Sequence, residues 1–199
     1  MNDHSADEAH EARHRALLTL ARETIAHHVA TGERLPYEPD EARLREPAAV
    51  FVTLRERPEA GAPFAEGELR GCIGQIEAQD PLYAAVQDAA IKAATVDPRF
   101  NPVTADELPR LLIEVSVLSP FRPVERLEEI AVGQDGLLIV SERRRGLLLP
   151  EVAPAYGWGA REFVRALCQK AGLPGNAWPE LAQLYAFTTE SFFEAADSE

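Results

Sequence analysis

The stretch GELRGCIGQI, residues 67–76, interrupts an apolar strand pattern with two glycines and places a cysteine between them. Glycine inside a strand marks a bulge, a tight bend, or a place where another backbone or a ligand approaches closely. Gly71 and Gly74 bracket Cys72, and Arg70 lies two positions before the cysteine. A nearby cation favours the thiolate, which is the reactive form of cysteine. One interpretation of the stretch is therefore a strand with a reachable, reactive thiol.

A structural interpretation of the same residues stays open beside the reactive one. Free cysteine is among the most buried residue types and usually behaves as a small hydrophobic side chain. In that case the glycines of this strand serve close packing, and Cys72 fills space. Cys168, inside a predicted helix, is most simply a packing residue.

The elements around this stretch indicate an α+β fold. AAVFVTLRE, residues 48–56, is rich in β-forming residues and predicts a hairpin with the strand at 69–76, joined by a long turn-rich loop at 57–68. LLIEVSVL, residues 111–118, alternates so that Glu114 and Ser116 share the polar face of a strand. Helices interspersed with paired strands, without regular βαβ alternation, favour a mixed or antiparallel sheet flanked by helices.

Local signals set several element ends. Apolar residues from Leu17 to Val29 predict an amphipathic helix that Gly32 ends, and Asp80 is expected to cap a helix with Pro81 in its first turn. Thr104 and Glu107 match a capping box. Further along the chain, the sequence predicts a hairpin of residues 137–140 and 146–149, a helix from Ala160 closed by Gly172, and a last strand within 183–194.

Composition limits the function classes. A formal charge of -13 argues against nucleic-acid binding, because phosphate backbones are bound by clustered Lys and Arg. No 18-residue apolar run and no signal peptide are evident, so the sequence predicts a cytoplasmic protein without a membrane segment. The two cysteines lie far apart, which favours neither a disulfide framework nor a structural zinc site.

A zinc-protease pattern occurs near the N-terminus but is expected to arise by chance. HEARH, residues 10–14, matches H-E-x-x-H, which on a helix sets two imidazoles one turn apart. It falls at the edge of a charged segment, residues 1–13, that we expect to be a flexible tail. All five histidines lie within the first 28 residues, so a Cys–His pair would have to recruit this region. No metal and no cofactor is predicted.

DPRFNPV, residues 97–103, combines a carboxylate, a guanidinium and an aromatic ring in one turn. The simpler interpretation is local: Asp97 caps the turn, Arg99 pairs with an acid, and Phe100 plugs the core. The other interpretation gives the same residues a role at a binding site. Glu114 and Ser116 are similarly either an acid/base pair in a cleft or the polar face of a half-exposed sheet.

Five segments of the chain carry a resemblance to a known family: ELRGCIGQI, DPRFNPV, LIEVSVLSP, GLLLPEVAPAYGW and FVRALCQKAGL. In these segments the chain resembles the AMMECR-type domain family, which includes AmmeMemoRadiSam system protein A. The resemblance implies one α+β unit over residues 14–196, with a larger and a smaller lobe and no assigned reaction. It also implies association with a Memo-type protein and a radical SAM protein. Asp135 stands where the family commonly has histidine, which weakens a Cys–His mechanism.

Two hypotheses follow from the residues and the resemblance together. In the first, the chain is an enzyme for a small-molecule substrate: Cys72 is the nucleophile or redox thiol, arginines assist it, and Asp97 or Glu114 transfers protons. In the second, it is a binding or scaffold module that presents a substrate or a partner. The candidate catalytic residues are Cys72, Arg70, Asp97 and Glu114, and the candidate substrate-binding residues are Gly71, Gly74, Arg99, Phe100, Ser116 and Asp135.

Overall fold

Alternating and helix-spaced apolar residues account for most elements of the computed structural model, which describes residues 3–57 and 67–194. The helices are α1 (Asp3–Thr31), α2 (Leu82–Thr95), α3 (Val152–Ala155) and α4 (Ala160–Lys170). The strands are β1 (Ala49–Glu56), β2 (Leu69–Gln75), β3 (Leu111–Leu118), β4 (Arg122–Val124), β5 (Gly136–Val140), β6 (Arg145–Leu148), β7 (Gln183–Phe187) and β8 (Thr189–Phe193). Both sheets are antiparallel, which confirms the predicted α+β class.

The chain divides into a larger and a smaller compact unit, in line with the two expected lobes. The larger unit runs to Val117 and takes up the chain again from Ser191, whereas the smaller unit spans Leu118–Glu190. Each unit has its own four-stranded sheet, ordered β2-β1-β3-β8 in the larger and β4-β7-β5-β6 in the smaller. No helix among the described residues combines the length and the apolar character needed to cross a membrane.

In the larger unit, helices α1 and α2 pack against one face of the sheet. The buried core joins apolar side chains from both helices to alternate residues of the strands: Leu17, Leu20, Ile25, Val50, Val52, Leu54, Val86, Ala90, Ile113 and Val115. Because successive side chains of a strand point to opposite faces, Thr53, Cys72, Glu114 and Ser116 lie on the other face. The fold therefore collects the polar candidates on the face of the sheet turned away from its helices.

Strands β1 and β2 form the predicted hairpin. They pair antiparallel with Thr53 opposite Cys72 and Leu54 opposite Gly71, and the register shifts between Leu54 and Arg55. Most of the predicted turn-rich loop, residues 58–66, lies outside the described residues. The hairpin places the candidate cysteine in the strand at the edge of the sheet order.

Two predicted helix starts are corrected. Helix α1 begins at Asp3, so residues 3–13 are helical rather than a flexible tail, and residues 3–31 contain neither glycine nor proline to interrupt the helix. Gly32 ends α1 as predicted, with a positive φ of 77°. Helix α2 begins one residue later than predicted: Pro81 occupies the N-cap position and no side chain caps the helix. Asp80 instead accepts a hydrogen bond from Ala48 N through its carbonyl oxygen.

The smaller unit packs helix α4 against its sheet. Phe163, Leu167 and Cys168 of α4 are buried with Leu137 and Ile139 of β5, which confirms Cys168 as a packing residue. The predicted hairpin is present as β5 and β6, and Gly172, with a φ of 70°, follows the end of α4.

The single predicted last strand is in fact two strands in different sheets. Between β7 and β8 stands Thr188, whose backbone N–H donates to Ser119 Oγ at 2.9 Å. Ser119 N in turn donates to Thr188 O, also at 2.9 Å. These bonds mark the place where the chain leaves the sheet of the smaller unit, within the polar run Thr188–Ser191 that separates Phe187 from Phe192.

Candidate functional site

The two glycines of the opening stretch, Gly71 and Gly74, allow neighbouring backbone and side-chain atoms to approach strand β2 closely. A Cβ atom on Gly71 would overlap the carbonyl oxygen of Ala93 in helix α2. A Cβ atom on Gly74 would overlap the Phe51 ring and the carbonyl oxygen of Val50 in β1. Tight packing around β2 is therefore sufficient reason for both glycines, without a ligand.

The Cys72 thiol lies on the polar face of the sheet, beside the strand residue it opposes. Thr53 Oγ1 donates a hydrogen bond to Cys72 Sγ over 3.3 Å, and Cys72 is only partly buried. The backbone N–H of Cys72 donates to Asp97 Oδ2 at 2.9 Å. The cysteine is thus held in place through both its backbone and its side chain.

Asp97 is the buried anchor that joins the turn after α2 to strand β2. Besides Cys72 N, its carboxylate accepts hydrogen bonds from three donors of Arg99, namely the backbone N at 3.1 Å, Nε at 2.9 Å and Nη2 at 2.6 Å. The Arg99 side chain holds the pKa of the Asp97 carboxyl well below its usual range, against the opposing effect of burial. Proton transfer near neutral pH needs a raised carboxyl pKa, so the geometry argues against the predicted proton-transfer role and favours a positioning role.

Arg99 remains accessible although it is bound to Asp97. Its side chain is 51% exposed, and Nη2 also donates to the carbonyl oxygen of Cys72 over 3.3 Å. The guanidinium carbon lies 5.5 Å from the centroid of the half-buried Phe100 ring, within range of a cation–π contact. The pairing expected for Arg99 is confirmed, and it leaves a half-exposed guanidinium, whose charge Asp97 balances, next to the cysteine. Phe100 is half-buried and is not part of the core, contrary to the local interpretation.

The charge of Arg70 is balanced by a carboxylate that the sequence interpretation did not connect with it. Arg70 Nε donates to Glu107 Oε1 at 2.8 Å, and Nη2 donates to Oε2 at 3.3 Å. Glu107 Oε2 also accepts from Thr104 N at 2.8 Å, as the capping box predicts. Arg70 contributes most to lowering the pKa of Glu107 to about 2. This two-point pairing makes Arg70 a structural partner of Glu107, and its predicted influence on the thiolate is correspondingly reduced.

The Arg70–Glu107 pair predicts a specific pH dependence of stability. Because the folded pKa of Glu107 lies below its ordinary value of 4.5, the stabilisation is complete above that value and is lost as the pH falls toward 2. Glu107→Gln should therefore destabilise the protein more at about pH 6 than at about pH 3. We expect the difference in unfolding free energy between wild type and variant to be about 1–2 kcal/mol smaller at the lower pH. Urea unfolding at both pH values measures it. The exposed Glu128→Gln serves as the control, and an equal shrinkage there would contradict the assignment.

Glu114 and Ser116 are joined by a side-chain hydrogen bond. Ser116 Oγ donates to Glu114 Oε1 at 3.1 Å and lies 2.8 Å from Ser191 Oγ on the neighbouring strand. In the strand order, β1 stands between β3 and β2, which separates this group from Cys72 by two strand spacings, about 10 Å. The two residues share one face of their strand, as predicted, and the strand order places them apart from the Cys72 thiol.

Asp135 lies in the smaller unit and stabilises its own turn. The buried carboxylate accepts from Arg122 Nη2 at 2.6 Å and from Ala131 N at 2.7 Å, and Gly133 in the same turn has a φ of 88°. These contacts explain why an aspartate suits this position. They give Asp135 a structural role where the sequence predicted substrate binding.

The HEARH segment is helical, and its histidines contact neighbouring side chains. The His14 ring stacks on Phe192 with 3.9 Å between centroids, and His10 meets His14 edge-on at 4.2 Å. His10 Nδ1 lies 2.8 Å from Arg13 Nη2. The stacking on Phe192 anchors this part of α1, which the tail prediction missed.

Comparisons with known proteins agree with this architecture. The AMMECR1 family model matches residues 18–192. Protein MK0488 of Methanopyrus kandleri is 41% identical over 187 residues, covering 89% of this chain and 86% of that protein. Protein MJ0810 of Methanocaldococcus jannaschii is 41% identical over 181 residues, covering 87% and 86%. The crystal structure of the uncharacterized protein PH0010 from Pyrococcus horikoshii matches with a TM-score of 0.78 and 40% identity, covering 89% of each chain.

Proposed function

This chain belongs to the AMMECR1 family, and we propose that it is a binding module in which Cys72 and Arg99 hold an anionic small molecule. The single observation that carries the proposal is the half-exposed, fixed guanidinium of Arg99 beside the thiol. Arg99 is half exposed, yet Asp97 and the carbonyl oxygen of Cys72 fix its guanidinium in place. A guanidinium held in this way can bind a carboxylate or phosphate at little further cost in side-chain entropy.

The remaining groups at the site favour binding over acid–base catalysis. Asp97 is a buried, ionised carboxylate whose oxygens accept four hydrogen bonds from Cys72 and Arg99. Every histidine of the chain falls within the first 28 residues, where His14 packs on Phe192. A cysteine nucleophile usually works with a base that is itself oriented by a third group. The cluster around Cys72 supplies a half-exposed guanidinium that Asp97 orients, and guanidinium N–H groups suit recognition of an anion.

The proposal extends to the partners implied by the AMMECR-type resemblance. We propose that the bound molecule is presented in the cytoplasm to a Memo-type protein and a radical SAM protein. Affinity capture with the full chain from its native host, compared between wild type and Arg99→Gln, tests this extension. Recovery of both partners supports it, and their absence from both captures would count against it.

Cys72 and Cys168 are expected to differ sharply in accessibility. Cys72 is partly buried on the polar face of the sheet, whereas Cys168 is 0% exposed in the core of the smaller unit. Iodoacetamide applied to the native protein should therefore label Cys72 and leave Cys168 unmodified until the chain is unfolded. Mass spectrometry of the digested protein measures both sites in one sample. A Cys72 that stays inert in the native protein would overturn the proposal of a ligand surface there.

A cysteine-dependent enzyme is the second candidate, and one contact favours it. Thr53 Oγ1 donates a hydrogen bond to Cys72 Sγ, and the sulfur of a nucleophilic or redox-active cysteine can accept such a bond. Cys72→Ser preserves the size of the side chain and removes the thiol chemistry. Two measurements on this variant separate the candidates: the product formed in cells by the pathway of the Memo-type and radical SAM proteins, and the amount of anionic ligand that the purified protein binds. Loss of the product with unchanged binding would favour the enzyme over the binding module.

A further inference from the structure

The smaller unit carries much less excess negative charge than the rest of the chain. Residues 118–190 hold eight of the twenty Lys and Arg residues but only nine of the thirty-three acidic residues. The unit is therefore close to neutral in a protein whose formal charge is -13. An anionic ligand meets far less repulsion there than at the larger unit.

Helix α4 and the segment after it form an open cleft in this unit, with a volume of about 540 Å³. The cleft is lined by Leu127, Arg161, Val164, Arg165, Gly175, Asn176 and Trp178. This set contains two cations and no acidic residue. The volume falls within the range of small-molecule sites, roughly 300–1,000 Å³.

The two arginines of the cleft have no charged partner in the part of the chain that the structure describes. Within residues 3–57 and 67–194, neither Arg161 nor Arg165 makes an ion pair or a side-chain hydrogen bond. Elsewhere in the same unit, Arg122 and Arg126 each pair with a carboxylate. Arg161 and Arg165 stand one helical turn apart on α4, an arrangement of like charges that destabilises a helix. A bound anion that contacts both guanidiniums would remove this repulsion.

The other walls of the cleft suit a planar, uncharged group. Trp178 provides an aromatic surface, and Leu127 contributes an apolar wall. Asn176 adds an amide with both donor and acceptor capacity, as recognition of a ring edge requires. We propose that this cleft is a mononucleotide-class site, in which Arg161 and Arg165 bind the phosphate and Trp178 contacts the base. The site is separate from the Cys72 cluster and does not depend on the function proposed for it.

Isothermal titration calorimetry of the full chain with AMP, adenosine and inorganic phosphate tests the proposal. AMP should bind at one site at concentrations up to about 1 mM, and each fragment should bind more weakly because it contacts only part of the cleft. Arg161→Gln with Arg165→Gln should weaken AMP binding by about tenfold or more, since bonds to a charged group are among the strongest polar contacts. The binding should also weaken as salt is added.

Lys170→Gln is the matched control, because it removes one positive charge from the last turn of the same helix without changing the cleft. It should bind AMP as the wild type does. The single variant Arg161→Gln, at an exposed position, guards against misfolding of the double variant. Absence of AMP binding, or equal binding by the double variant, would overturn the site. Phosphate binding as tightly as AMP would overturn the base contact, and adenosine binding as tightly as AMP would overturn the phosphate contact.

Discussion

Gly71→Ala is expected to lower the free energy of unfolding by about 3 kcal/mol. The added Cβ would overlap the carbonyl oxygen of Ala93, which is backbone and cannot rotate away as a side chain can. Strand β2 or helix α2 must therefore move, at the expense of the core between them. Urea unfolding measures the effect as a lower midpoint with an unchanged slope.

Gly159→Ala is the control for this substitution. Its Cβ would meet only the far end of the Glu162 side chain, which can move aside, and its φ of -82° suits alanine. Loss of a glycine N-cap costs less than about 1 kcal/mol. If Gly71→Ala unfolds at the same urea concentration as Gly159→Ala, close packing is not the reason for the glycine in β2, and the ligand interpretation of that glycine regains support.

Asp97→Asn is expected to cost about 3 kcal/mol of unfolding free energy near neutral pH. The substitution removes the charge that Arg99 neutralises, and it replaces one acceptor oxygen by an amide group that faces N–H donors. The effect is at the lower end for a broken buried pair because Arg99 is half exposed and water can solvate it. Thermal or urea unfolding at neutral pH measures it.

Asp88→Asn provides a matched comparison within the same unit. Asp88 forms ion pairs with Arg34 at 3.2 Å and Lys92 at 2.6 Å, but these partners are about half exposed. Exposed pairs contribute at most about 1 kcal/mol. A loss for Asp97→Asn no greater than that for Asp88→Asn would show that Asp97 does not anchor the turn to β2.

Signals confined to a few neighbouring residues predicted much of the fold. The hairpin of β1 and β2, the Thr104–Glu107 capping box and the terminal glycine Gly32 all depend on local chemistry, and the structure confirms each of them. The prediction that Asp80 caps α2 was wrong by one residue, since Pro81 itself occupies the N-cap position. The start of α1 was missed because charged residues favour a helix as readily as a tail, and the contact of His14 with Phe192 joins distant parts of the sequence.

The candidate site shows the same division between local and distant contacts. The pairing of Asp97 with Arg99 could be predicted, because the two residues share one turn. The bond from Cys72 N to Asp97 could not, because it joins a strand to a turn beyond the next helix. Proximity in the sequence likewise suggested that Arg70 acts on Cys72, whereas its nearest carboxylate, Glu107, follows much later in the chain. Only the capping box marked Glu107 as a fixed group.

The glycines of β2 correctly predicted a close approach to this strand but did not show which group approaches it. The sequence indicated that something approaches this strand closely, and it left a ligand and a backbone as alternatives. The structure identifies the Ala93 carbonyl as the neighbour of Gly71 and the Phe51 ring as the neighbour of Gly74. Choosing between the alternatives required the packing of β2 against α2, which no local pattern specifies.

The most direct test of the Cys72–Arg99 surface compares alkylation of Cys72 by anionic iodoacetate and by neutral iodoacetamide. A cation about 4 Å from a bound carboxylate contributes about 1 kcal/mol even in water, which corresponds to about fivefold in rate. The ratio of the iodoacetate rate to the iodoacetamide rate should therefore fall about fivefold in Arg99→Gln. Arg99→Lys should retain most of the ratio, and Arg126→Gln, which removes an exposed arginine from the smaller unit, should retain all of it. A ratio that is the same in wild type and Arg99→Gln would contradict the proposal that Arg99 attracts an anion to Cys72.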